Sequence, residues 1–187
     1  MLKDYTKLDA TQIYKLMSQT VIPRPIAWIV TEDEGILNIA PFSYFIPLSS
    51  KPPIVIVSIG HKEDATPKDT LANIRKNKKA TICFVNETNL ELMKQTALSL
   101  PKEESEVEKF HIKTTPIIKD FPPIVSSTQS ALFVTFYEEL DLKGKTIPLL
   151  LEVQSQYIDD KIINDDGSLQ LDNIARVGKE FATLEKI

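Results

Sequence analysis

The chain has 187 residues, 42% of them hydrophobic and 26% charged, and a formal net charge of −4. That length supports one domain with a well-buried core, and the composition is that of an ordinary soluble globular protein. The negative charge argues against nucleic acid as the main partner, and no run reaches the roughly 20 apolar residues that span a bilayer.

The N-terminus, MLKDYTKLDATQ, lacks the apolar core of a signal peptide, so a soluble, cytoplasmic protein is expected. Residues 9–18 predict a short helix, with Asp9 as N-cap and Gln12 three residues on in a capping-box pattern. Ile13, Leu16 and Met17 fall on one face of it. Then comes the most informative stretch, Val21 to Gly60. It holds three apolar runs rich in β-branched residues, separated by Asp-Glu-Gly at 33–35 and Ser-Ser-Lys-Pro-Pro at 49–53. That punctuation predicts antiparallel strands, the first over about Ile26 to Thr31, with Trp28 as core or interface packing. Inside the second run, Asn38-Ile39-Ala40-Pro41-Phe42-Ser43 sets small polar side chains around a proline, which cannot donate to a ladder. The segment reads either as an edge strand with an irregular bend, or as a bulge whose amides and Ser43 hydroxyl face a ligand.

Thr66-Pro67 predicts a helix start with proline at the first helical position and Asp69 reaching back to the cap. The helix runs to about Asn77, its basic exit (Arg75, Lys76, Lys78, Lys79) suiting the negative end of the dipole. At its other end Lys68, Thr70 and the leading amides read as an anion site or as an ordinary exposed cap. A strand follows at ATICFVNE, holding the single cysteine, Cys83, as a buried core residue. Further on come a helix near 88–98, a charged LPKEESEVEKFHI segment read as a mobile helix or flap, and strands near 130–138 and along IPLLLEVQSQYI. A turn at NDDG and a tail, LDNIARVGKEF, able to pack back on the barrel complete the chain. With no internal repeat or domain boundary, residues 1–187 read as one mainly β domain, a barrel rather than a sandwich.

Chemistry-bearing motifs are sparse. The chain has no dinucleotide fingerprint, phosphate loop, H-E-x-x-H, C-x-x-C or nucleophile elbow. His61 and His111 lack ligand spacing, so neither a metal site nor a catalytic side chain is expected. A candidate anion site without side-chain catalysts points to a bound cofactor that supplies the chemistry.

Four motifs in order, PRPIAW, G-x-x-N-x-A-P-F-S, K-P-P and K-D-T-L-x-N-I, continued by SEVEKF, FPP, YIDDKIINDDG and IARVG, resemble the flavin reductase-like, FMN-binding split-barrel family over about residues 20–178. The resemblance implies a homodimeric, six-stranded antiparallel split β-barrel with a few peripheral helices, holding FMN, or sometimes FAD, near the subunit interface. It implies flavin contacts from Asn38, Ala40, Pro41, Phe42 and Ser43, a phosphate seat at Lys68, Asp69 and Thr70, and cofactor-lining roles for Arg24 and Pro25. Ser58 and Ile59 match another wall, and Arg176 matches an arginine that is either a ligand contact or part of a structural salt bridge.

It also implies an NAD(P)H-dependent flavin reductase, in which hydride passes from nicotinamide to flavin N5 and electrons go on to a second flavin, ferric iron, oxygen or a redox partner protein. Many members carry histidine at the position of Tyr157, and the strand at 131–136 lacks their Glu-Cys pair. The Tyr157 departure keeps open an FMN electron carrier without its own NAD(P)H site. A cofactor-free dimeric binding protein is the third reading.

Overall fold

The computed structural model describes residues 1–62, 64–144 and 146–185. Helix α1 (Ala10–Thr20) begins at the expected capping box: Asp9 Oδ1 accepts the Gln12 N–H at 2.8 Å, and Gln12 Oε1 accepts the Asp9 N–H at 3.1 Å. A short β1 (Arg24–Pro25) leads to β2 (Ala27–Asp33) and β3 (Ile36–Phe42). The β2–β3 hairpin turns through Glu34 and Gly35, both at positive φ (51° and 84°), the backbone that a two-residue hairpin needs to match strand twist. β4 (Phe45–Ser50) and β5 (Pro53–Gly60) form the next hairpin.

Helix α2 (Asp69–Asn77) starts two residues later than Thr66-Pro67 predicts, with Lys68 as N-cap. The local turn takes those residues instead. Pro67 bridges His61, and Asp64 accepts from both the N–H and the hydroxyl of Thr66. The expected end at Asn77 is correct, with Lys78 in the left-handed conformation that closes a helix. β6 (Lys79–Phe84), α3 (Leu90–Gln95), α4 (Glu106–Lys109), β7 (Thr114–Thr115) and β8 (Ile124–Val125) follow. β9 (Ser130–Glu139) and β10 (Thr146–Ile158) are the longest strands, and β11 (Ala175–Val177) with β12 (Glu180–Ala182) forms the C-terminal hairpin. Among the described residues no helix is long and apolar enough to cross a membrane.

The main sheet is antiparallel, with strand order β3-β2-β6-β9-β10-β5-β4. It has seven strands rather than six, because the second apolar run is two strands, β3 and β4. These lie at opposite edges of the sheet yet only Ser43 and Tyr44 separate them in sequence. The chain therefore crosses the seam of a split barrel at this corner, where the Ser58 N–H donates to the Tyr44 carbonyl at 2.8 Å.

Alternation within the strands builds two cores. Ala27, Ile29, Phe42, Val57, Ile82 and Leu149 point into the barrel, where α2 contributes Leu71 and Ile74. Trp28, Val30, Cys83 and Phe133 point outward beneath Met93 of α3, Val107 of α4 and Ile174 of the tail. β2 is thus covered on both faces, which is why Ala27–Val30 reads as a continuous apolar run. Cys83 is the expected buried residue, and desolvation pushes its thiol up to about 12. The tail packs back as expected: Ile174 N–H donates to the Val85 carbonyl at 2.7 Å, and β11 pairs with β1.

Candidate functional site

β3 has no bulge. Its register with β2 runs unbroken from Asp33↔Ile36 to Ala27↔Phe42, with Pro41 opposite Trp28. The Leu37 carbonyl accepts from Ser105 Oγ and the Ile39 N–H donates to Glu106 Oε2 at 3.1 Å, so odd-numbered residues turn their backbone to the free edge. Pro41 is the next in that alternation, and its missing N–H falls where no ladder partner exists. The expected set of ligand-facing amides is therefore smaller than the sequence implies, because Ile39 N–H is taken and Pro41 has none. The change of direction comes at Ser43–Tyr44.

Glu106 organises the base of the site. It is 3% exposed, and its carboxylate also accepts from Asn38 Nδ2 at 3.0 and 3.2 Å. Asn38 Oδ1 accepts from Thr70 Oγ1 at 2.9 Å and Thr31 Oγ1 at 3.3 Å, and Asn73 Nδ2 donates to Thr31 Oγ1 at 3.1 Å. This network ties α4, β3, β2 and the start of α2 together. Burial pushes the Glu106 carboxyl above its ordinary value, opposed by the hydrogen bonds from Ile39 and Asn38. The 100–110 segment is thus pinned to β3 by Ser105 and Glu106, not a loose flap.

A cleft of about 230 Å³ opens above this network, lined by Asn38, Ala40, Pro41, Phe42, Lys68, Asp69 and Thr70, with Thr96–Leu100 as the facing wall. At α2 the Ala72 N–H makes the first helical bond, to the Lys68 carbonyl at 3.0 Å, and no side chain among the described residues caps the amides before it. Lys68 Nζ lies 5.8 Å from the Phe42 ring centroid. Asp69 does not reach back to the cap; it pairs with Lys62 at 2.9 Å.

Pro41 and Phe42 also line a second cleft, of about 440 Å³, with Ser43, Tyr14, Lys94, Arg176, Lys179 and Phe181. Arg176 makes no salt bridge among the described residues; its Nε donates to the Gly178 carbonyl at 3.2 Å, and the guanidinium lies 4.3 Å above the Phe181 ring. Arg24 and Ser58 line a third, apolar cleft with Ser43, Tyr44, Met17, Val21 and Ile46. Arg24 is 5% exposed and donates to the carbonyls of Ser18, Val21 and Gly178, joining the negative end of α1 to the C-terminal hairpin. Pro25 pairs with Ala175 in β1–β11. The Ile59 side chain is fully buried in the barrel core. Tyr157 packs on the outer core instead.

The structure thus brings Asn38 to Phe42 together with Lys68 to Thr70, puts Ser43 at the junction with Arg176, and sets Arg24 and Ser58 across the seam. Sequence reasoning missed Glu106, Lys179, Phe181 and the 96–100 wall. Glu106 sits in a charged run indistinguishable from a solvated face, and its β3 partners are 67 and 68 residues away.

The fold is that of a split barrel. The profile of the family described as flavin reductase like domain matches residues 17–170, and the chain belongs to that family. An uncharacterized protein of Halalkalibacterium halodurans is 38% identical over 110 residues, covering 58% of this chain and only about half, 53%, of that protein. Nitrilotriacetate monooxygenase component B from Bacillus cereus matches with a TM-score of 0.92 at 24% identity, covering 100% of this chain and 96% of that one. The 2-nitrobenzoate 2-nitroreductase of Pseudomonas fluorescens matches at 0.89 and 23%, covering 100% and 94%.

Proposed function

We propose that the protein is an FMN-dependent oxidoreductase that takes electrons from NAD(P)H and passes them to a second acceptor, a small molecule or a redox partner protein. The observation that carries this reading is the meeting of two clefts at Pro41 and Phe42. The cleft on the α2 side has the mixed lining of a cofactor site, and the larger one beside it leaves room for a second ligand. A planar ring with a phosphate tail fits the donor set. Lys68 and the leading amides of α2 suit the phosphate, Pro41 and Phe42 offer apolar contact, and the Ser43 hydroxyl can bond a ring heteroatom. FAD fits the same anchor.

When bound, the flavin supplies reversible two-electron chemistry. The chain's own part is positional. Thr70 and Asn38 fix the anchor of α2 against β3, and the 96–100 wall limits water above Phe42. The Glu106 carboxylate holds α4 against β3 at the base of the cleft. No side chain is needed as a general acid or base in this scheme.

An anaerobic titration of the purified protein tests the reading. A flavin absorption spectrum that bleaches with NADH or NADPH is expected, and a colourless protein that fails to take up added FMN would overturn it. A flavin spectrum that stays oxidised would favour an FMN electron carrier, the reading that Tyr157 keeps open by standing where many members of the family carry histidine. Lys68→Ala should raise the FMN dissociation constant about tenfold, the effect of one lost charge-assisted bond, with circular dichroism unchanged.

The same reading includes a cytoplasmic homodimer. β4 is an edge strand with Ile46 and Leu48 53% and 55% exposed, and beside it lie Met17 and Val21 of the α1 region, 41% and 60% exposed. Exposed apolar side chains gathered in one patch favour association. Ile46→Asp should therefore convert a dimer to a monomer in sedimentation analysis; a wild type already monomeric at micromolar concentration would refute the dimer.

A further inference from the structure

The cleft between α3 and the β11–β12 hairpin carries an unbalanced charge. Lys94, Arg176 and Lys179 line it, and among the described residues no carboxylate does. Elsewhere several cations are matched, Lys62 with Asp69, Arg75 with Glu139, Lys76 with Asp33 and Glu34. Here Arg176 and Lys179 form no ion pair among the described residues, and Lys94 is matched only by exposed Glu91 at 2.6 Å. In a chain of net charge −4 this is a local reversal.

Two of these cations are also held in place. Phe181 lies under the Arg176 guanidinium at 4.3 Å and within 5.3 Å of Lys94 Nζ, so one ring gathers two positive groups. With Arg176 Nε committed to the Gly178 carbonyl, its terminal nitrogens remain for a ligand. Tyr14 offers a second aromatic surface in the same cleft.

Nicotinamide dinucleotides differ only at the adenosine 2′ position. A ribose 2′-hydroxyl is recognised by a carboxylate, whereas a 2′-phosphate is accommodated by arginine. A phosphomonoester carries about −1.5 to −2 charge at neutral pH, and a planar guanidinium flanked by ammonium groups matches it. Because the cleft adjoins the proposed flavin site at Pro41 and Phe42, a ligand held here by one end reaches the flavin with the other. We infer that this cleft binds the 2′-phosphorylated adenosine end of NADPH, so that NADPH is taken in preference to NADH. The inference rests on the flavin reading above.

The test is calorimetric titration of the purified protein with adenosine 2′,5′-bisphosphate and with 5′-AMP, after a separate FMN titration. The bisphosphate should bind at least about tenfold tighter than AMP, the discrimination expected of charge-assisted bonds to one phosphate. Lys179→Ala should lose most of that advantage while its AMP affinity and FMN uptake stay unchanged. Arg176→Lys, which keeps the charge but not the fork, should lose part of it. Equal affinities in the wild type, or an advantage that survives in Lys179→Ala with Lys94→Ala, would overturn the inference. FMN uptake without bisphosphate discrimination defeats only this inference; absence of FMN uptake defeats the flavin reading itself.

Discussion

Glu106→Ala is expected to lower stability by about 3 kcal/mol and the midpoint of thermal unfolding by roughly 6–12 °C. The carboxylate is the partner of the Ile39 N–H and of Asn38 Nδ2, and alanine leaves both donors without it at the base of the cleft. An unsatisfied buried donor costs about 1–3 kcal/mol, so two of them set the size of the loss. Glu106→Gln should cost clearly less, since its amide oxygen can still accept one of these bonds. Equal midpoints for wild type and Glu106→Ala in a thermal melt would mean that the α4–β3 clamp contributes nothing.

The same residue sets a pH dependence of known sign. Burial raises its pKa in the folded state above the unfolded value, so its favourable contribution is fully present below the ordinary glutamate range, near 4.3. That contribution is lost as pH rises through the raised folded value. The charges facing it are Asp69, which raises the value further, and Lys62 and Lys68, which line the same cleft. Subtracting the Glu106→Gln stability profile from the wild-type profile should leave a difference that moves against the wild type as pH rises above the ordinary glutamate value. A flat difference would show that the carboxyl titrates normally.

How far the sequence spoke for this fold depends on how local each signal is. The Asp9 capping box, the Glu34-Gly35 hairpin and the end of α2 are written within four residues and hold in the structure. The seam between β3 and β4 was hidden because Phe42 and Phe45 are both apolar and the corner between them, Ser43-Tyr44, has no glycine or asparagine. The start of α2 was misjudged because Thr66-Pro67, a good local cap, is spent on a bridge to His61. Arg24 was visible as a residue but not as a brace, since its partners are backbone carbonyls, one of them 154 residues away, and carbonyls leave no trace in a sequence. Asn38 and Thr70 lie in separate motifs and meet in the structure, and the network they share includes Glu106, which no motif marks.

Trp28→Ala should be the most damaging single change, at about 3–5 kcal/mol, a cost typical of removing a fully buried tryptophan. The more informative variant is Trp28→Phe. The indole Nε1 donates to Thr96 Oγ1 at 2.9 Å, and Thr96 is both the C-cap of α3 and the first residue of the wall that faces Lys68 and Phe42. Phenylalanine keeps most of the apolar volume in the outer core but lets this bond go. Thr96 retains its own bond to the Met93 carbonyl at 2.8 Å, so no new buried polar orphan arises and the stability loss should stay near 1–2 kcal/mol. The wall, however, loses its tie to β2. A flavin dissociation constant several times larger in Trp28→Phe, measured at a temperature where the variant is fully folded, would place the outer core in the support of the cleft. An unchanged constant alongside the same stability loss would mean that α3 holds the wall by packing alone.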